Sequence, residues 1–514
     1  MKKWIAFTAF LALATPASAK WHEASSEHFV IYADDGERNI REFAEDLERY
    51  HSALEVVLGW EQATPSPSNR LVIFVAGDQG DIRELAGTES RTIAGFYLPR
   101  AGASRAFVQD ITQEKGYPSF STTVLLHEYA HHFLISSLRE AMPRWLSEGA
   151  AEFFASAGFN GDGSVNIGRP AMHRASELIY AKDVSVEELL DADLYEARKG
   201  KRYDAFYGRS WGLFHMLRFS DDRSGQLPHY IRLIADGKTS IEAGREAFGD
   251  LDQLQRDLDK YLKRKRLMNY VLQPDAITTS PITLRVLPDG EAAMMAVRMR
   301  SQRGVDEEEA AALVVEAREV AAQFPSDAAV QAALAEAEFD AGNDGAAVAA
   351  AEAALILDPV NRNALVQKGQ ALFRQADDAA DEATAYRQAM APFTRLNALE
   401  KDHPLPLIYY YRSFVDRGQA PTDGAFQALE RASQLAPFDM GLAMDVALVQ
   451  AQQGKIAMAI QTLKPLAANP HGGELAESAK QYVAQLAIST EGEAWYPSPV
   501  LLDAAEAGEA AASD

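Results

Sequence analysis

The chain has no cysteine in 514 residues. A disulfide framework and a lipid-anchoring cysteine are therefore excluded. Long apolar runs are missing too. The one at the N-terminus, Trp4 to Ala14, is shorter than the ~20 residues a bilayer-spanning helix needs, and no later segment is long and apolar enough. Positive charge is scarce: 50 Lys and Arg stand against 74 Asp and Glu, for a formal net charge of −24. That balance argues against nucleic acid and anionic membrane surfaces as partners, because both repel an acidic protein.

What is present begins with a leader. Lys2 and Lys3 form a positive start, Trp4 to Ala14 an apolar core, and Ala17-Ser18-Ala19 a small-residue cleavage site. Residues 1–19 thus read as a secretory signal, with the mature chain starting at Lys20. Losing the two lysines takes the net charge from −24 to −26. An exported, cysteine-free chain fits a bacterial periplasm, with an extracellular destination as the alternative. The length calls for two or more domains. Composition shifts near residue 270, from aromatic and mixed charged residues to alanine.

The chemistry concentrates in residues 124–154. Val124-Leu-Leu-His127-Glu128-Tyr-Ala-His131-His132 contains His-Glu-x-x-His. On a helix His127 and His131 share one face, so two imidazoles can bind one metal ion, while Glu128 reaches a water beside it. Thr122 or Thr123 is placed to cap this helix. Three histidines and a glutamate on an otherwise apolar helix are costly to bury without partners. Pro143 suits the start of a second helix, on which Glu148 can supply the third ligand of a catalytic site with an open fourth position. Glu152 lies one turn further and is placed to hold a ligating histidine by its second nitrogen.

Trp145-Leu146-Ser147-Glu148-Gly149-Ala150-Ala151 after His-Glu-x-x-His resembles the gluzincin zinc metallopeptidases, in particular the peptidase MA-like group. The resemblance covers roughly residues 25–265 and implies an α+β peptidase domain. It also implies one zinc ion on His127, His131 and Glu148, a water activated there, and Glu128 as general base. The peptide-bond chemistry it implies acts on a peptide or protein substrate. Sixteen residues separate His131 from Glu148, fewer than in the aminopeptidase branch, so a shorter loop is expected. That branch's Gly-x-Met-Glu-Asn motif is absent, which favours an endopeptidase. Tyr207-Gly208-Arg209-Ser210 is similar to the branch's Tyr-x-Lys-Gly/Ser, and implies Tyr207 as oxyanion donor, with Tyr203 as the fallback. His132, His173 and His215 read as ordinary residues. A small sheet before the active-site helix is expected from residues 28–33, 71–76, 94–97 and 105–109, the last taken as the edge that pairs with substrate.

Pro274, Pro281 and Pro288 mark residues 271–290 as an extended linker, so the peptidase domain is read as 20–270. Further on, prolines recur at helix-pair spacing: Pro325 to Pro359, Pro404 to Pro437 and Pro437 to Pro470. Residues 291–490 resemble tetratricopeptide repeats, an all-α array whose concave face commonly binds a protein partner. Residues 491–514, rich in Ala and Glu, read as a disordered tail. The competing reading is a binding protein, in which the repeats recruit a partner and the peptidase fold is inactive or keeps zinc only structurally.

The signal reading is tested by N-terminal sequencing of exported protein, which should start at Lys20. An intact Met1 in the exported fraction would refute it.

Overall fold

The computed structural model describes residues 20–497 apart from 89, 91–92, 112, 115, 139 and 199–202. The expected leader and residues 498–514 of the expected tail lie outside the described residues. The strands are β1 (His22–Ser25), β2 (Phe29–Ala33), β3 (Leu71–Val75), β4 (Gly95–Leu98), β5 (Arg105–Val108), β6 (Gln113–Glu114), β7 (Tyr117–Pro118), β8 (Gly158–Phe159), β9 (Val165–Ile167), β10 (Tyr270–Leu272) and β11 (Thr283–Val286). One sheet runs β11-β1-β2-β3-β5-β4, and β10-β9-β8 form a second. The centre of the large sheet is parallel: β2 with β3, and β3 with β5. Phe-Val-Ile-Tyr-Ala and Leu-Val-Ile-Phe-Val are continuous apolar runs, as a strand covered on both faces requires.

Alternate residues serve two cores. Phe29, Ile31, Ile73, Ala106 and Val108 face α1 (Glu37–Leu58) and, beyond it, the site helix. Val30, Tyr32, Phe74 and Phe107 face α2 (Gln79–Leu85) together with Leu287 and Met295. The expected edge role of residues 105–109 is corrected. β5 lies inside the sheet, because the 99–104 turn, with Gly102 at φ 86°, folds β4 back along it; β4 is the edge.

Two helices carry the motif: α3 (Phe120–Ser137) and α4 (Arg144–Ala155). Ser119 caps α3, accepting from Thr122 N at 3.1 Å, so neither Thr122 nor Thr123 is the cap. The helices α5 (Ala175–Tyr180), α6 (Val186–Leu190), α7 (Ala192–Arg198), α8 (Phe206–Phe219), α9 (Gln226–Ala235), α10 (Ser240–Phe248) and α11 (Leu251–Leu262) follow. A Cβ at Gly149 would lie 2.5 Å from the Ser210 carbonyl oxygen. Only glycine there lets α4 and α8 cross this closely, and the crossing brings Tyr207 toward His127.

The 271–290 stretch is not a free linker. β10 pairs with β9, β11 extends the large sheet beside β1, and Leu287 packs on its second face. After it come α12 (Asp289–Ala293), α13 (Met295–Arg303), α14 (Glu307–Gln323), α15 (Ala328–Asp340), α16 (Asp344–Leu357), α17 (Arg362–Ala376), α18 (Glu382–Leu399), α19 (Pro404–Val415), α20 (Asp423–Leu435), α21 (Met440–Gln452), α22 (Ile456–Ala467) and α23 (Gly473–Leu486). This is a tetratricopeptide-like array. Pro325, Pro359, Pro437 and Pro470 each stand in the turn between two helices, while Gly342, Gly418 and Gly454, all with positive φ, close the alternate turns.

The array folds back onto the first domain. Ala101 N donates to Asp439 Oδ2 at 2.8 Å, Asn69 Nδ2 to the Leu435 carbonyl at 2.8 Å, and Ser68 N to Glu400 Oε1 at 2.9 Å. The described start of the tail is docked as well, with Trp495 N donating to Ala451 O at 3.0 Å and its ring against Tyr482.

A chain ending at residue 270 should therefore be less stable than one ending at 305. Leu287 and Met295 each contribute roughly 1.5–3 kcal/mol by burial, so a loss of at least about 3 kcal/mol is expected in chemical unfolding. Equal midpoints for the two fragments would restore the linker reading.

Candidate metal centre

His127 and His131 lie one turn apart on α3 and turn their Nε2 atoms toward each other at 3.1 Å. Glu148 of α4 brings Oε2 to 3.3 Å from His127 Nε2 and 3.4 Å from His131 Nε2. Its carboxylate is completely buried, and neither oxygen has a hydrogen-bond partner among the described residues. A bare carboxylate is seldom left this way, because its desolvation is costly. The three donor atoms fit a metal ion instead. Tetrahedral zinc with bonds of about 2.0–2.1 Å sets its ligand atoms about 3.3 Å apart. Burial would raise the Glu148 carboxyl, but His127, His131 and His471 outweigh it and hold it well below the usual carboxylate range.

Each imidazole is oriented from behind. His127 Nδ1 faces Glu152 Oε1 at 3.1 Å, an ion-pair contact outside hydrogen-bond geometry, and His131 Nδ1 hydrogen-bonds Ser147 Oγ at 3.2 Å. With Nδ1 so engaged, Nε2 is the atom left to face a metal. Glu152, also fully buried, is held by His173 Nε2 at 2.6 Å and by Arg174 Nε at 3.0 Å. Burial pulls the His127 imidazole down, but Glu152 and Glu148 outweigh this and push it up to about 10. Two carboxylates face this site, and a cation there, whether proton or metal, balances them.

Glu128 is half-buried and lines a cavity of about 160 Å³ beside His131, with Tyr97, Ser147, Phe438 and Asn469. Tyr207 stands with its ring centroid 6.4 Å from that of His127 and under the Arg174 guanidinium. Burial and the nearby Glu148 push its hydroxyl up to about 12, so it is a neutral donor. Tyr203, the fallback, is 65% exposed and donates to Glu177, which removes it from the cluster. His132 bonds Tyr97, and His215 bonds Tyr261 and the Gly168 and Met268 carbonyls; neither reaches the centre.

Four contributors were not assigned from the sequence, among them His173, which read as an ordinary residue and instead holds Glu152. Ser147 lies inside the Trp-Leu-x-Glu motif at a variable position. His173 and Arg174 come from a short 3-10 turn, Met172–Arg174, with no spacing signal. His471 is the largest surprise. It comes from the turn between α22 and α23, and its Nε2 lies 3.2 Å from Glu148 Oε1. Donor atoms of His127, His131, Glu148 and His471 all fall within 4.8 Å of one another.

Residues 121–237 match a family model described as a protein of unknown function, DUF1570. That span contains His127, Glu128, His131, Glu148, Glu152 and Tyr207. No curated protein matches the chain. A solved structure of a thermophilic TPR protein in Thermus thermophilus is 15% identical, with a TM-score of 0.31, covering 37% of this chain and 97% of that one. An ArsTM double mutant of MamA RS-1 is 15% identical, with a TM-score of 0.26, covering 39% of this chain and 97% of that one.

The orientation of His127 by Glu152 is open to test. Glu152→Gln should weaken metal binding by about 10–100-fold, whereas His131→Ala should remove most of the metal. Chelator competition measures both. Parental affinity in the Glu152 variant would show that the carboxylate does not orient the ligand.

Proposed function

We infer that the chain is an exported zinc-dependent peptidase, with endopeptidase action favoured. The observation that carries this reading is the convergence of His127, His131 and Glu148 on one point, with Glu128 lining the adjoining cavity. Zinc, when held by these residues, supplies a Lewis acid that makes a water nucleophilic near neutral pH and polarises a carbonyl. The remaining work falls to side chains of this chain. Glu128 follows His127 directly, so it stands beside the ligand face and does not take a ligand position. Its carboxylate accepts a proton from the attacking water and returns it to the leaving amine nitrogen as the C–N bond breaks. The Tyr207 hydroxyl donates to the oxyanion that develops on the carbonyl. Arg174 and His173 keep Glu152, and through it His127, in place. An extended peptide can pair by strand addition with β4, the edge strand whose Tyr97 lines the Glu128 cavity.

A second reading has an observation of its own. His471 makes a fourth donor, and metal sites closed by four protein ligands are structural. Together with the tetratricopeptide-like array this favours a binding protein whose metal only stabilises the fold. Glu128 separates the two, since a structural site has no need of a base beside its ligands.

Glu128→Gln keeps the shape and loses the basicity. Peptide turnover should fall by at least ~100-fold with zinc content unchanged. Equal turnover in the variant would remove Glu128 from its role. If neither the parent nor a His471→Ala variant hydrolyses any member of a broad peptide library, the binding reading stands in its place.

A further inference from the structure

The turn between α22 and α23, Ala468-Asn469-Pro470-His471-Gly472, enters the cleft of the first domain. On one side Asn469, Pro470 and His471 wall the cavity that holds Glu128 and His131. On the other, Asn469 and Pro470 wall a cavity of about 1050 Å³ between α23 and the region of Arg144, Leu189 and Phe206. The same turn thus walls both cavities. At its tip His471 Nε2 lies 3.2 Å from Glu148 Oε1, and its ring stands edge-on to His131 at 5.2 Å between centroids.

Two observations set this turn apart from the others in the array. After Pro325, Pro359 and Pro437 the second residue is Asp327, Asn361 or Asp439, whose side chain caps the next helix. After Pro470 that position is Gly472, which offers no side-chain cap. The sequence here forgoes a capping interaction, and the residue before it is the histidine that meets Glu148. The second observation concerns packing. The hydrophobic cluster under α22 and α23 is built wholly from residues 440–495. By contrast, the cluster of α20 and α21 includes Ala101 and Ile135 of the first domain. The terminal hairpin therefore rests on its own array and reaches the first domain at its turn.

We propose that His471 is a fourth ligand of the metal centre, delivered by the terminal repeat, and that the chain folded this way is latent. The inference rests on the peptidase reading of the site. A catalytic centre needs one position free for water and substrate. Here a half-exposed imidazole from a hairpin packed on the array stands in the neighbourhood of that position, and the turn around it lies between the two cavities. Displacement of α22–α23 opens both. The repeats then regulate the site they cover and do not merely prop it.

The experiment compares full-length parent, His471→Ala and His471→Gln, each loaded with Co²⁺ in place of zinc. Gln offers an N–H toward Glu148 and is a poor ligand, so it separates a polar contact from coordination. Thermal unfolding of the metal-free proteins confirms that all three fold. All should bind one ion per chain. Both variants should show altered cobalt absorption bands and release the ion to a chelator at least about tenfold more readily, because even outer contacts to ligands are worth about 10–100-fold. Peptide turnover should rise at least tenfold in both. Unchanged bands and affinity would show that His471 is no ligand. Altered bands with no gain in turnover, or complete loss of metal, would make the closure structural and overturn latency. His131→Ala is the control for the underlying reading. If it keeps its metal, the site itself is misassigned; if it loses metal while His471→Ala behaves as the parent, only the latency proposal fails.

Discussion

The structure turns on a desolvated carboxylate. Glu148 of α4 is buried completely against α3, and among the described residues neither oxygen has a hydrogen-bond partner. In an ordinary core that arrangement would cost several kcal/mol and would be removed by substitution or repacking. Two imidazole nitrogens face the same point, so a cation held among the three would satisfy them all. The rest of the first domain can be read as what holds this arrangement still. Glu152, His173 and Arg174 fix one imidazole and Ser147 the other. Gly149 lets α8 approach so that Tyr207 joins them.

The helical array belongs to the same assembly. β11 closes one edge of the large sheet, and Leu287 and Met295 cover its second face, so the sheet is completed by residues that follow the first domain in the chain. From there the array curves back, with Glu400, Leu435 and Asp439 bonded to the loops around residues 68–101. A repeat array placed this way cannot move as one body without breaking those bonds. Its last hairpin packs on α21 through an apolar cluster that contains no residue of the first domain.

Much of this was legible in the sequence. The His-Glu-x-x-His helix, the Glu148 helix, the apolar strands and the 33- to 34-residue proline period are all local patterns, and local patterns report helices, strands and turns directly. What was not legible depends on tertiary pairing. Three prolines made 271–290 read as a linker, yet proline is tolerated beside edge strands, and β10 and β11 are edge strands. Residues 105–109 read as an edge because nothing in an isolated strand says which neighbour folds back on it. Tyr207 was preferred to Tyr203 on its motif match alone; the start of α8 turns Tyr207 inward and leaves Tyr203 in solvent.

His471 shows the same limit most sharply. It lies 471 − 148 = 323 residues from Glu148, so no spacing rule could join them. Closing so long a loop is not free, although its entropic cost grows only slowly with length. Here the intervening chain is folded, so each helix pair restricts where the next can go. The array thereby acts as a ruler that returns one turn to the cleft. A signal was nonetheless present in the sequence, as a break in the repeat pattern. Three junctions place a capping Asp or Asn two residues after proline, and the fourth has His-Gly-Gly. Within a repeat, a residue that departs from the pattern at the expense of a helix cap is answering to something outside the repeat. Here that something is the buried carboxylate on which the first domain is built.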